Sequence, residues 1–353
     1  MPKNNCPILL RCDAGTKIGS GHVMRCMALA QGWRQQGGEA VFLSHCPIES
    51  LRRSILDEGF GFFSIRNPYP DPEDIRLTLR QLSRFQDGRQ GSPWLVLDGY
   101  HFTEDYQRAV RKDGRRLLII DDTAHLSRYE GDALLNQNIF AASLSYPEHK
   151  DLRRFLGCEY VLLRHEFLKY KNWERKIPDK AKRILVTLGG SDPQNVTLKV
   201  IQALDLLLDL DIEVEIVAGP GNICIEELQN AVRTSFVSTH LIRNARNMPE
   251  LMAWADIAIS AAGSTCWEMS FMGLPFLTVA VADNQKLIAD GLFAAGISSH
   301  LGKAEELSIQ GMCQEISRVI LSPATRRQYS LLGKKLVDGE GVNRIVDYLK
   351  GSR

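Results

Sequence analysis

Fifteen residues near the front of the chain, Arg11 to Arg25, read RCDAGTKIGSGHVMR and hold the densest chemistry of its first half. Asp13 follows a short apolar run, glycines stand at 15, 19 and 21, and His22 comes directly after the last of them. Glycine permits positive φ and lets a ligand approach the backbone closely. A helix beginning near His22 presents unpaired N–H groups and a partial positive charge. Such an end disfavours protonation of a nearby imidazole, so His22 is expected to stay neutral and to serve as a base. A histidine at a helix start beside a tight turn explains the same residues structurally. The stretch lacks the G-x-G-x-x-G spacing of a dinucleotide site. Two further apolar runs end in carboxylates, Asp98 in DGYHF and Asp121–Asp122 in IDDTAH. A carboxylate at a strand end binds sugar hydroxyls or caps the next helix, and the roles of Asp98, Asp121 and Asp122 stay open at this level.

The second half carries two small loops between an apolar run and a helix pattern. In LGGSDPQN, backbone N–H groups around Gly189 and Gly190 are placed to cradle phosphate, although a plain turn accounts for them too. In SAAGSTCWEM, Thr265 and Glu268 form a T-x-x-E capping box, which suffices structurally. The functional reading gives a diphosphate to Gly263, Ser264 and Thr265 and lets Glu268 accept hydrogen bonds from ribose hydroxyls. No Walker lysine accompanies either loop. The eight histidines form no H-x-x-H or H-E-x-x-H pair, so no metal site is expected, and G-x-S-x-G is absent.

These loops need scaffolds. PILLRC, EAVFLS, WLVLD, RLLIID and ALLN read as strands, with helices over HVMRCMALAQGWRQQG, DPEDIRLTLRQLSRF and TEDYQRAVRKDG. A polar, basic segment, LKYKNWERKIPDKAK, interrupts the pattern and reads as a linker. A second series follows: RILVTLGG, a helix from Asn195 to about Leu208, EVEIVAG, a helix near Glu226 to Val232, DIAISAAG, a helix from Thr265, PFLTVAV, a helix after Asn284 and two terminal helices. Strands alternating with helices imply parallel βαβ units. The expected division is an α/β domain over 1–168, a linker over 169–182, and a second α/β domain with terminal helices over 183–353. Two such domains in sequence put a cleft between them, where ligands sit outside the carboxyl ends of strands.

The chain has 353 residues and a net charge of +1, which gives no electrostatic argument for a nucleic-acid partner. The longest weakly polar run, Phe271 to Ala282, is too short to span a bilayer, and no signal peptide is evident. Eight scattered cysteines without C-x-x-C pairs fit reduced thiols of a cytoplasmic protein.

Taken together, the quoted stretches resemble the nucleotide-sugar hydrolases of pseudaminic acid biosynthesis, which act on UDP-2,4-diacetamido-2,4,6-trideoxy-β-L-altropyranose. The resemblance runs through DGYHF, IIDD, LLNQN, GCEYVLLRHEF, LGGSDPQNVTLKVIQAL, ISAAGSTCWEM and VADNQ, in that order, from residue 8 to about 300. The second half alone is similar to the broader GT-B superfamily, and spore-coat polysaccharide proteins share the pattern. The resemblance implies a GT-B-like architecture of two Rossmann-like parallel-sheet domains facing a central cleft, with UDP held mainly by the second. It makes His22 the catalytic histidine, with Tyr100 and Asn284 as further catalytic positions and Arg164 as a substrate contact. Asp13, Gly19, Gly21, Ser191 and Gln285 fall among the implied substrate-binding positions, beside Gly189, Gly190, Gly263, Ser264, Thr265 and Glu268. It implies inverting hydrolysis of the sugar–UDP link without metal or cofactor, by a protein not inserted in a membrane, of open oligomeric state. DGRQGSP (87–93) departs from the pattern as a surface insertion, and Gly99 stands where a larger residue can occur. A glycosyltransferase using a UDP-sugar donor and a non-catalytic nucleotide-sugar sensor are the alternatives.

Overall fold

The computed structural model describes residues 7–15, 18–86, 92–147 and 150–351, so Cys6 and most of the expected insertion at 87–93 lie outside the described residues. The chain divides into two compact units, Met1–His165 with Gly339–Arg353, and Glu166–Asp338.

The first unit is built from β1 (Ile8–Cys12), α1 (Gly21–Gln35), β2 (Ala40–Ser44), α2 (Glu49–Asp57), β3 (Gly61–Ser64), α3 (Pro72–Gln86), β4 (Trp94–Asp98), α4 (Glu104–Arg111), β5 (Arg116–Ile120), β6 (Ala133–Asn136) and β7 (Arg153–Leu156). Its seven strands pair in parallel in the order β3-β2-β1-β4-β5-β6-β7. Helices on both faces bury the central strands completely, which is why they read as near-continuous apolar runs. Ile8, Leu9 and Leu10 are fully enclosed, as are Leu95 and Val96.

The second unit contains α5 (His165–Leu168), whose first residue belongs to the other unit, then β8 (Arg183–Thr187), α6 (Val196–Leu204), β9 (Glu213–Ala218), α7 (Ile225–Thr234), β10 (Ser238–Arg243), α8 (Met248–Trp254), β11 (Ile257–Ala261), α9 (Thr265–Phe271), β12 (Phe276–Ala280), α10 (Asp283–Ala294), β13 (Ser298–Lys303), α11 (Ile309–Leu321) and α12 (Pro323–Leu336). Its six strands are again all parallel, in the order β10-β9-β8-β11-β12-β13. No described helix is long and apolar enough to cross a membrane.

Two boundaries differ from the sequence expectation. Residues 169–182 are an arm anchored to the second unit: Arg175 is half-buried, donating to the carbonyls of Met252, Ala255 and Met272. Burial pushes its guanidinium down to about 10. Lys334 fixes the same arm through the Trp173 carbonyl at 2.6 Å. The last helix, α13 (Gly341–Gly351), returns to the first unit instead of ending the second. Its apolar stripe of Val342, Ile345, Val346 and Leu349 is buried in the core beside α1. Trp94 Nε1 donates to the Leu349 carbonyl at 2.8 Å.

Glycine makes this docking geometrically feasible. A Cβ on Gly341 would lie 2.3 Å from the Val161 carbonyl oxygen and 2.6 Å from the Tyr160 carbonyl carbon, and backbone cannot rotate away. Gly341→Ala should therefore lower stability by about 1–3 kcal/mol. Gly351→Ala, facing open space, should stay within about 0.5 kcal/mol of wild type. Equal urea midpoints for the two variants would contradict the docked position of α13.

Candidate functional site

Each sheet has one point where strand order reverses. It lies between β1 and β4 in the first unit and between β8 and β11 in the second. Loops after the carboxyl ends of such strands are where open α/β sheets take ligands.

In the first unit this rim is a connected polar network. Asp98, the last residue of β4, is fully buried, and His22 Nδ1 lies 2.6 Å from its Oδ1. Arg25, on the same face of α1 three residues after His22, donates to Asp98 through Nε and Nη2, both at 2.6 Å. Its Nη1 spans to both oxygens of Asp122, at 3.0 and 2.8 Å. Tyr100 donates its hydroxyl to Asp122 Oδ2 at 2.8 Å, and Asn138 Nδ2 donates to Oδ1 at 2.7 Å. The Tyr100 ring stands edge-on to the His22 ring with centroids 5.1 Å apart. Burial on its own would raise the Asp98 carboxyl. The charges of Arg25 and then His22, with hydrogen bonds from both, outweigh it and hold the carboxyl far below the usual carboxylate range.

With Asp98 accepting from Nδ1, the imidazole nitrogen left to take a proton is Nε2. The sequence reading credits the helix start alone with controlling His22; the structure adds a buried carboxylate in direct contact. His22 and Tyr100 are brought together as expected. Asp98, Arg25, Asp122 and Asn138 join them; the sequence leaves the roles of Asp98 and Asp122 open and gives none to Arg25 or Asn138. Their signal lay in GHVMR, DGYHF, IIDD and LLNQN, each a strand end or helix start on one rim.

The remaining acidic positions divide cleanly. Asp121 is occupied by Thr123, whose N–H and Oγ1 donate to its Oδ1 at 3.0 and 2.9 Å, and by the Tyr129 hydroxyl. It stiffens the β5 turn. Asp13 is likewise engaged, by the Arg11 guanidinium, by the His45 N–H at 2.7 Å and by His101 Nε2 at 3.3 Å. Gly99 allows this last contact, since a Cβ there would meet His101 Cε1 at 2.8 Å and Phe102 Cε2 at 3.0 Å. Asp13 thus supports the rim from beneath. Gly19 closes the loop after β1 by exchanging two backbone hydrogen bonds with Gly15, at 3.1 and 2.8 Å, with φ at +73°. Gly21 opens α1, and Arg164 lies half-buried just before α5.

In the second unit, Gly189 (φ +84°), Gly190 and Ser191 follow β8. Gly219 packs onto this turn so closely that a Cβ would sit 2.4 Å from the Gly189 carbonyl oxygen. The helix that follows is not open to an anion: Asp192 accepts from the N–H groups of Val196 and Thr197, both at 2.9 Å. The phosphate reading of this loop is thereby confined to the turn itself.

After β11, Gly263, Ser264 and Thr265 are half-exposed. The expected capping box is not the arrangement found. Ser264, not Thr265, is the N-cap of α9, and its side chain makes no capping bond. Glu268 is half-buried one turn on. Gln285 Oε1 accepts from the Val281 N–H at 3.0 Å, and its Nε2 approaches Gly263. Asn284 is exposed in the first turn of α10.

The fold is GT-B-like: two parallel-sheet α/β units, with MurG of Acinetobacter baumannii matching 98% of this chain and 99% of its own at a TM-score of 0.66. Identity to that structure is 15%, so the likeness is one of fold. Residues 183–323 match the glycosyltransferase family 28 C-terminal domain. The chain is 24% identical over 294 residues to the UDP-2,4-diacetamido-2,4,6-trideoxy-β-L-altropyranose hydrolase of Campylobacter jejuni, covering 82% of this chain and 97% of that one. It is 23% identical over 340 residues to the spore coat polysaccharide biosynthesis protein SpsG of Bacillus subtilis, covering 96% of each. An uncharacterised protein of Methanocaldococcus jannaschii is 26% identical over 307 residues, or 85% of this chain, which spans 60% of that longer relative.

Asp13 offers a test of the rim's electrostatics. Burial raises its carboxyl, but the close approach of His101 and the charge and hydrogen bonds of Arg11 bring it from 3.8 down to about 2. A lowered carboxyl stabilises the fold fully above its ordinary value and loses that contribution as pH falls through the folded one. The difference corresponds to about 2 kcal/mol. Asp13→Asn should therefore be less stable than wild type by that order near roughly pH 6, with the gap narrowing towards roughly pH 2. A gap independent of pH in urea titrations would refute the assignment.

Proposed function

We propose that this chain is a nucleotide-sugar hydrolase. It cleaves the anomeric C–O bond of a UDP-linked 2,4-diacetamido-2,4,6-trideoxy sugar, releasing free sugar and UDP with inversion. The observation that carries the reading is the His22–Asp98 pair, a buried carboxylate fixing Nδ1 while Nε2 is left to act on water. The altropyranose hydrolase of C. jejuni, aligned over 82% of this chain, supports the substrate class.

In this mechanism His22 Nε2 takes a proton from water as the water oxygen bonds to the anomeric carbon. The bond from that carbon to the diphosphate oxygen breaks, and its electron pair leaves with UDP. Asp98 holds the ring orientation and stabilises the imidazolium that forms. Tyr100, tied to Asp122, packs against the ring and fixes its tilt. On the second unit, the amides of Gly189, Gly190, Ser191, Gly263, Ser264 and Thr265 take the diphosphate. Glu268 accepts from the ribose hydroxyls, Asn284 orients the sugar, and Arg164 contacts substrate.

Removing the base should cost about 10²- to 10⁴-fold in kcat. His22→Asn and Asp98→Asn are both expected to lose turnover in that range while UDP affinity stays near wild type. With UDP-sugar and no acceptor, the wild-type protein should release UDP, and labelled water oxygen should appear in the sugar. Label found in UDP, or retention at the anomeric carbon, would sink the mechanism.

The second reading, a glycosyltransferase, is favoured by the family 28 match over residues 183–323. It predicts that UDP release waits for an acceptor, so the same incubation separates the two.

Nucleotide binding is checked separately. Glu268→Ala should weaken UDP roughly 10-fold or more, the loss expected for a charged hydrogen-bond acceptor. Unchanged affinity by calorimetry in a folded variant would remove the ribose role.

A further inference from the structure

The side of the second sheet formed by β10 and β9 carries a cluster unrelated to the loops at the strands' carboxyl ends. The parallel register sets His240 of edge strand β10 opposite Glu215 of β9. Glu213, two residues before Glu215, shares its face of the strand, while the intervening Val214 and the following Ile216 point into the core. His240 Nδ1 lies 3.5 Å from Glu215 Oε1. One ligand atom from each of Glu213, Glu215 and His240 lies within 4.8 Å of the others. The second oxygen, Glu215 Oε2, is buried without a hydrogen-bond partner. A buried carboxylate oxygen left without a donor is costly. The adjacent cation is Arg183, in register with Glu213 from β8, but its guanidinium is drawn over the Trp254 ring, 5.9 Å from the centroid. Burial raises the Glu215 carboxyl; His240 opposes that and Glu213 adds to it.

We infer that Glu213, Glu215 and His240 form a three-ligand site for a first-row divalent cation, with Zn²⁺ the best match. Metal–ligand bonds of about 2.1 Å at tetrahedral angles separate ligand atoms by roughly 3.4 Å, close to the His240–Glu215 spacing. One imidazole with two carboxylates suits zinc, whereas Mg²⁺ and Ca²⁺ favour oxygen donors throughout. Water fills the fourth position. A dication relieves the repulsion between the two glutamates and gives Glu215 Oε2 a charge partner. It also clips the edge strand β10 to its neighbour β9. The site lies at the amino end of β9, five residues from the strand's end at Ala218, so it acts on the scaffold and not on the reaction. The sequence shows no H-x-x-H signature because strand register, not chain spacing, assembles these ligands.

The test is calorimetric titration of the full chain, stripped with chelator and desalted, with Zn²⁺. One ion should bind per chain, uncontested by excess Mg²⁺, with a rise in melting temperature. His240→Ala and Glu215→Gln should each weaken binding by at least about 10-fold. His240 is 59% exposed, so its variant should fold and carries the test if Glu215→Gln does not. Cys224 and Cys313 are partly exposed thiols that compete for zinc. Co²⁺ distinguishes them, since nitrogen–oxygen ligation gives visible d–d bands without a thiolate charge-transfer band. Absence of a stoichiometric site, unchanged affinity in His240→Ala, or a thiolate band would overturn the inference. None of these readouts depends on turnover.

Discussion

The first unit's rim depends on one side chain, Arg25. Its guanidinium joins Asp98 at the end of β4 to Asp122 beyond β5, and its own Cα belongs to the first turns of α1. Three separate elements are thereby fixed to one another at their functional ends. One cation between two carboxylates leaves an excess negative charge in a nearly dry place, which is costly unless further donors compensate. They are present: Tyr100 and Asn138 donate to Asp122, and His22 donates to Asp98. The imidazole is therefore oriented as part of charge neutralisation. The group read as the base is the imidazole of this network, held at Nδ1 by Asp98.

Such a network demands strands whose ends stay put, and both sheets supply them by full burial. That burial also determines what the sequence discloses. The nine interior strands, β1, β2, β4, β5, β6, β8, β9, β11 and β12, all read as apolar runs. The four that escaped notice, β3, β7, β10 and β13, are the four sheet edges. An edge strand is covered on fewer sides and is blunted with polar residues. The sequences RRFL and STHLIR show why periodicity fails there. The α13 helix was legible as an element, but not its destination. Nothing in its amphipathic pattern says which of two similar cores receives it, and the answer lies in Gly32, where a Cβ would strike the Val342 side chain at 2.2 Å, and in Gly341, where it would strike the backbone of Val161 and Tyr160.

The site was legible at its residues and opaque in its partnerships. His22, Tyr100 and the three glycine loops stand out because strand ends concentrate small and polar types. Their partners lie far off: Asp98 is 76 residues from His22, and Asp122 is 97 from Arg25. Local rules also misled where tertiary geometry chose otherwise. The T-x-x-E pattern at Thr265 fits a capping box, yet the helix starts one residue earlier than that box requires, with Ser264 as its N-cap. The Gly-Gly loop after β8 resembled a phosphate cradle backed by a helix end, yet Asp192 fills that end with the chain's own carboxylate.

The glycines give a physical way to separate scaffold from ligand-facing backbone. At Gly219 and Gly341 a Cβ would strike backbone at 2.4 and 2.3 Å, so packing within the chain explains the residue. At Gly19 and Gly189 positive φ explains it, since a side chain would be strained there. Gly263 belongs to neither group: its φ is not positive, and a Cβ would meet Gln285 Nε2 at 3.9 Å, an ordinary contact. The protein's own packing would tolerate alanine at this position. At the loop after β11, where the proposed function places the diphosphate, neither packing nor backbone conformation demands the glycine. That freedom is the ground on which the proposal prefers this loop to the one after β8, where Asp192 already occupies the helix start.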